Sequence, residues 1–261
     1  MPPKTNLDEL ARSLLANGPV KILPAAPKRV RVRLGGEYVA DSTNAVYVWE
    51  HAYYPTYYVP RTSFAEGALA YPDAPAEQGY SLGVLSAGDA STDRVIVFRG
   101  GVLADLVRVE FGTVDAWFEE DVRVDVHPKD PFKRVDVVFS SRPVRVLVHG
   151  IEVARAESCF HLYETGLPVR FYLPATAVRA ELLRDSATVT ACPYKGEANY
   201  YDVVVQGAEG GGEKELKDVV WYYKNPKMEC AGIAGCLCFY NEKVEIELDG
   251  KMLARPNTPF S

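Results

Sequence analysis

Ten consecutive residues, Cys192-Pro193-Tyr194-Lys195-Gly196-Glu197-Ala198-Asn199-Tyr200-Tyr201, bring a thiol, phenols, an ammonium and a carboxylate together. Residues two apart share a face of extended chain. Lys195 could then grip an anionic group while Glu197 takes a proton. The same spacing also describes a strand-edge salt bridge around a turn at Gly196, which is worth little energetically. Glu164 is the next candidate, because it ends the apolar stretch Phe160-His161-Leu162-Tyr163. Alternation puts Phe160, Leu162 and Glu164 on one face, and His161 and Tyr163 on the other. A carboxylate on an apolar face needs a partner such as Arg170 or Lys195. Unpaired, its pKa would rise and it would serve as an acid or base near neutrality. Both readings stay open.

His127, in His127-Pro128-Lys129-Asp130-Pro131, is the proton-transfer candidate by side-chain type, since its ordinary pKa lies nearest neutrality. Two prolines and an aspartate there also describe a turn with the histidine at its start. Glu164, Lys195, Glu197 and His127 are thus the catalytic candidates. Arg170, Tyr172, Tyr194, Tyr200, Trp221 and Tyr223 are the substrate-binding candidates. Aromatic residues on strands also serve simply as core.

Signatures of cofactor chemistry are missing: no phosphate-binding Gly-x-x-x-x-Gly-Lys-Ser/Thr, no Gly-x-Gly-x-x-Gly, no Gly-x-Ser-x-Gly and no His-Glu-x-x-His. No cofactor is expected. The five cysteines all fall in the second half, and an odd number without a secretory leader points to free thiols. Cys230-x5-Cys236-x-Cys238 lacks the paired Cys-x2–4-Cys spacing of structural zinc, so no metal is expected. Cys236 and Cys238 should share one strand face as small core residues.

The elements that position these residues are written twice. Sliding the sequence by 114 residues lays Gly36–Pro60 on Gly150–Pro174 without a gap. Gly36, Val39, Ala40, Glu50, Tyr58 and Pro60 fall on Gly150, Val153, Ala154, Glu164, Tyr172 and Pro174. Average composition gives about one or two chance identities in such a window. The reading is therefore an internal duplication, mainly β, with two similar small domains. Asn6 caps a short N-terminal helix with the apolar stripe Leu7, Leu10, Ala11, Leu14 and Leu15, ended by Gly18. The expected organisation is a helix and lead-in over 1–24, a divergent first domain over 25–127 and a linker over 128–143. A second domain over 144–251 and a loosely held tail over 252–261 complete it. Gly67–Asp93, rich in Gly, Ala, Pro and Ser, reads as an insertion or long loop, and 207–218 as a flexible hairpin tip.

With 261 residues, 48% of them hydrophobic, the chain can bury two cores. A net charge of −6 argues against a nucleic-acid partner, and no apolar run is long enough to span a bilayer. The expectation is a soluble cytoplasmic protein whose partner is a small molecule.

CPYKGEANYY, then VVWYYKNP and AGIAGCLCFYNEKVEIELDG, closely resemble the family called domain of unknown function 427, over about Val144–Gly250. WFEEDVRVDVHPKDPFKRVDVVFSSRPVRV resembles the linker of its two-domain members, which extends the likeness over nearly the whole chain. The resemblance implies small β-rich domains similar to β-tent folds. It places Tyr194, Lys195, Gly196, Glu197, Tyr200, Trp221, Tyr223, Pro226 and Phe239 at motif positions without assigning them roles. A nucleotidyltransferase-like description attached to the family finds no phosphate loop or metal-binding carboxylate pair here.

These observations lead to a cofactor-independent enzyme acting on a small, largely apolar organic molecule, as an isomerase, cyclase, lyase or hydrolase, by acid–base chemistry or substrate shaping. Secondary metabolism would suit such chemistry. The alternative is a non-catalytic ligand-binding or scaffold protein. A cleft between the domains is the expected site, lined by Lys195, Glu197, Glu164, Tyr172, Arg170 and Trp221, with His127 approaching from the linker.

Overall fold

In the computed structural model, residues 6–73, 75–206 and 212–258 are described. The chain divides into two units, Met1–Asp130 and Pro131–Ser261. The first unit begins with α1 (Leu7–Asn17) and continues through β1 (Lys21–Pro24), β2 (Val30–Leu34), β3 (Glu37–Ser42), β4 (Val46–Trp49) and β5 (Thr56–Pro60). It ends with β6 (Leu69–Ala70), β7 (Tyr80–Ala87), β8 (Ala90–Phe98), β9 (Leu106–Val109), β10 (Ala116–Glu119) and β11 (Val122–Val124). The second unit opens with β12 (Val135–Ser140), β13 (Val144–Val148), β14 (Ile151–Ala156), β15 (Cys159–Glu164) and β16 (Arg170–Pro174). It closes with β17 (Leu183–Cys192), β18 (Gly196–Gln206), β19 (Glu213–Tyr223), β20 (Cys236–Phe239), β21 (Glu245–Leu248) and β22 (Lys251–Met252).

Each unit folds as a large and a small antiparallel sheet, and the two plans are the same. The large sheets run β1-β4-β5-β9-β8-β7-β6 and β12-β15-β16-β20-β19-β18-β17, and the small ones β3-β2-β10-β11 and β14-β13-β21-β22. Every strand of one unit therefore has a counterpart eleven strands on. β1, β2, β3 and β5 each begin 114 residues before their counterparts. The mainly β, duplicated architecture is what the structure shows.

Alternating valines and aromatics give the large sheet two apolar faces. In the first unit Val59, Val95, Val97 and Val107 pack with Val30, Val32 and Trp117 in the core between the sheets. The outer face, with Val48, Tyr58, Ile96 and Phe98, is covered by Leu7, Ala11 and Leu14 of α1. Asn6 Oδ1 accepts the Glu9 amide at 3.2 Å, and Gly18, at φ +72°, ends the helix. In the second unit Phe171, Leu173, Val203 and Phe239 face the small sheet. Leu162, Tyr172, Trp221, Cys236 and Cys238 form the outer cluster, with Cys230 and Ile233 of a 3-10 segment, Met228–Ile233.

Three expectations change. Val135–Ser140, read as linker, is an edge strand paired with β15 from Val135↔Glu164 to Ser140↔Cys159, in the place β1 holds in the first unit. Gly67–Asp93 contains β6, β7 and the start of β8. Its small residues reflect close approach, since a Cβ on Gly83 would lie 3.0 Å from the Ala70 carbonyl oxygen. The tail read as loose is tied down: the Leu253 amide donates to the Ile246 carbonyl at 2.8 Å, and the Thr258 hydroxyl to Glu242 at 2.6 Å. Residues 207–211 of the expected hairpin tip and 259–261 of the tail lie outside the described residues.

Leu14 is 4% exposed in the cluster beneath α1. Leu14→Ala should lower stability by about 2–5 kcal/mol, the cost of an unfilled core site, as read from urea unfolding. An effect below about 0.5 kcal/mol, the size of a surface change, would mean that α1 does not seal this face.

Candidate functional site

The second unit gathers most of the expected residues on the outer face of its large sheet. Glu164 ends β15, its side chain 7% exposed, with Oε2 2.5 Å from the Lys195 ammonium and Oε1 3.4 Å from that of Lys133. Burial disfavours the Lys195 charge, but the neighbouring Cys192 and Glu164 outweigh it and raise the lysine pKa. Lys195 is therefore a held ammonium. The turn geometry explains why it does not pair with Glu197. Cys192 opposes Gly196, so Lys195 sits in the loop and Glu197 in the strand, with Gly196 at φ +105° between them. The two-residue rule for extended chain does not pass through a turn, and Glu197 faces solvent.

The aromatic candidates pack closely around this pair. Trp221 Nε1 donates to the Tyr172 hydroxyl at 3.0 Å, and the Tyr200 hydroxyl meets Thr190 Oγ1 at 2.8 Å. The Lys133 ammonium lies 5.8 Å from the Tyr194 ring centroid. Burial raises the Tyr172 and Tyr223 phenols far above their ordinary value and keeps them protonated. Arg170 is committed elsewhere, in a two-pronged pair with Glu242 at 2.7 Å on each arm. Its guanidinium lies 5.5 Å from the Trp221 ring and 5.8 Å from that of Tyr240. Burial opposes the Glu242 charge, yet hydrogen bonds from Arg170 and Thr258 bring its pKa down to about 2.

The first unit arranges the same face differently. Glu50, the counterpart of Glu164, accepts from Arg108 Nε at 2.8 Å, from Arg108 Nη2 at 3.3 Å and from the Tyr58 hydroxyl at 3.2 Å. Burial works against the Arg108 charge, but Glu50 outweighs it and holds the guanidinium pKa up. Strand register identifies the replacements. Tyr58↔Arg108 corresponds to Tyr172↔Cys238, so arginine stands where the second unit has a cysteine. Thr56 pairs with Val48 as Arg170 pairs with Leu162. The Thr113 amide donates to the Glu110 carbonyl as Lys243 does to Tyr240, which aligns Gly112 with Glu242. The two large side chains of the second unit's buried pair are thus a threonine and a glycine in the first.

A cavity of about 320 Å³ opens at this place, with Thr56 and Gly112 in its wall beside Glu50, Arg108 and Glu110. Leu10, Tyr54, Phe111 and Pro128 supply apolar wall, and His51 and His127 complete it. His127 Nδ1 lies 2.7 Å from the Pro128 carbonyl. A carbonyl only accepts, so the neutral ring carries its lone pair on Nε2. His51 Nδ1 accepts the Tyr53 amide at 3.3 Å, which leaves its proton on Nε2. Tyr54 lies between the two imidazoles, stacked on His127 at 4.0 Å and edge-on to His51 at 4.4 Å. The two rings thus differ at Nε2, an acceptor in His127 and a donor in His51.

Eight of the ten expected residues, Glu164, Arg170, Tyr172, Tyr194, Lys195, Tyr200, Trp221 and Tyr223, belong to the second unit's outer face. Glu197 turns away from it, and His127 belongs to the first unit's cavity. His51, Tyr54, Arg108 and Glu110 were missed. Their signal was the Glu50/Glu164 match, but the ungapped repeat ends at Pro60 and Arg108 lies beyond it. Among the described residues no group of three or more His, Cys, Asp and Glu side chains is placed to hold a metal ion, and no helix is long and apolar enough to cross a membrane.

Two tandem β units, each with a paired, largely buried carboxylate at the same point of its large sheet, define the class of protein. The chain belongs to the family described as domain of unknown function (DUF427), which matches residues 22–76 and 136–250. No curated protein matches it.

Arg170→Ala should cost the second unit about 3–5 kcal/mol, because it strands a buried carboxylate. Arg170→Thr combined with Glu242→Gly should cost less, since no charge is left alone. The Glu242 pKa falls on folding from 4.5 to about 2. Its contribution is therefore complete above about pH 4.5 and fades as pH falls toward 2. Acid unfolding followed by fluorescence should show this loss, and Glu242→Gln should remove it. An unchanged acid profile in Glu242→Gln would contradict the assignment.

Proposed function

We propose that this protein is a cofactor-independent enzyme that transfers protons on a small, largely apolar organic molecule, and that the first unit's cavity holds that molecule. The observation that carries the reading is the His51–Tyr54–His127 ring cluster in the wall of a cavity of about 320 Å³. That volume lies at the lower end of ordinary ligand pockets. The tautomers give His127 Nε2 the role of base and His51 Nε2–H the role of acid. Glu50 and Arg108 hold the floor of the site as a fixed ion pair. Leu10, Tyr54, Phe111 and Pro128 make the apolar walls. The second unit has the same plan with its space filled by Arg170 and Glu242, which supports a structural role for it and for its Lys195–Glu164 pair.

The alternative, a binding protein that performs no reaction, uses the same cavity and differs only in whether His127 moves a proton. The test is to incubate dialysed protein with a metabolite extract in the presence of a chelator and follow the extract by mass spectrometry. The wild type should consume at least one small molecule. His127→Gln should slow that consumption by about 100-fold, the usual weight of a general base, with an unchanged circular dichroism spectrum. Binding without consumption would contradict the enzymatic reading in favour of the binding protein. Neither binding nor consumption would contradict both.

A further inference from the structure

The polar groups of the first unit's cavity do not balance. Both carboxylates in the wall have a guanidinium: Glu50 has Arg108, and Glu110 accepts from Arg94 Nε at 2.7 Å. The deficit lies with the donors. Arg108 is 5% exposed, and its Nη1 is buried without a hydrogen-bond partner. It forms only a long ion pair, with Glu110 Oε2 at 3.8 Å. A buried N–H of a charged group without an acceptor is costly, and proteins keep such groups where something else supplies the acceptor.

The second unit shows how a carboxylate can serve a buried guanidinium on this face. There a buried guanidinium, that of Arg170, is closed by the Glu242 carboxylate on two arms. In the first unit the counterpart of Glu242 is Gly112, which lines the cavity, and a Cβ built on Gly112 meets no atom within 4 Å. The first unit thus has no carboxylate at this position and Thr56 in place of Arg170, while Arg108, in the wall of the same cavity, has an Nη1 without an acceptor. From these two independent observations we infer that the cavity takes a small organic acid. Its carboxylate enters beside Gly112 to serve Arg108, and its apolar body lies against Tyr54 and Phe111. The inference rests on the proposed use of this cavity and adds the chemical class of its ligand.

The probes are 3-phenylpropanoate and its neutral counterpart 3-phenylpropanamide, titrated into the full chain by calorimetry. The acid should bind about tenfold or more tightly than the amide, as expected for a hydrogen bond to a charged group. Arg108 cannot be removed cleanly, because Glu50 would be left largely buried without a cation. The informative variants are therefore Gly112→Glu and Gly112→Gln, which fill the same space with and without a charge. Gly112→Glu should weaken the acid about tenfold more than Gly112→Gln does, while the amide responds equally to both. Equal binding of acid and amide by the wild type would overturn the carboxylate inference and leave the cavity reading standing. Equal losses of the acid in the two variants would overturn it too, as mere obstruction. If neither probe binds at millimolar concentration the inference falls, and the extract experiment above then decides separately whether the cavity binds anything.

Discussion

A carboxylate at the end of an apolar strand face must be paired or give up its charge, and this chain meets that constraint twice, at Glu50 and Glu164. Taking such a group from water costs several kcal/mol, which only a close, well-oriented cation recovers. The fold delivers the carboxylate to the same point in each unit because β4 and β15 have the same place in the same strand order. The cation is delivered differently. Arg108 reaches Glu50 from the strand across β5, whereas Lys195 reaches Glu164 from a hairpin loop. After duplication the partner could move, provided that one was always present.

That freedom explains the divergence of the two faces. With lysine arriving from the loop, the strand position opposite Tyr172 is left to Cys238, and a second pair, Arg170–Glu242, fills the adjoining space under Trp221 and Tyr240. With arginine on the strand opposite Tyr58, the adjoining positions hold Thr56 and Gly112, and the space becomes a cavity. The helix α1 covers the apolar remainder of that face and contributes Leu10 to the cavity wall. One sheet plan thus yields a filled version and an open version carrying histidines.

Much of this was legible before any coordinates. The ungapped run Gly36–Pro60 against Gly150–Pro174 covers β3 to β5 and β14 to β16, where the spacing of the chain was kept although β15 is two residues longer than β4. The N-cap at Asn6, the stop at Gly18 and the free Cys236 and Cys238 on one face followed from local chemistry. Reading failed where long-range register decides. Lys195 and Glu197 are neighbours in sequence, but a hairpin loop sends them apart. Arg170 and Lys195 were both plausible partners for Glu164, and only the fold shows that Arg170 belongs to Glu242, 72 residues away. The cavity was hidden for the same reason: it is made by what Thr56 and Gly112 lack, and an absence has no motif.

Each face is organised by its largely buried carboxylate and the closest cation that reaches it, Arg108 for Glu50 and Lys195 for Glu164. Double-mutant cycles on Glu50/Arg108 and on Glu164/Lys195 test this most directly, with each carboxylate changed to Gln and each cation to Met, and stability read by urea unfolding. Paired groups in contact should show coupling of about 1–3 kcal/mol in both units, so that each double variant is less damaged than the sum of its single variants. Losses that add to within about 0.5 kcal/mol in either unit would show that the carboxylate and cation there act independently, and would contradict the account.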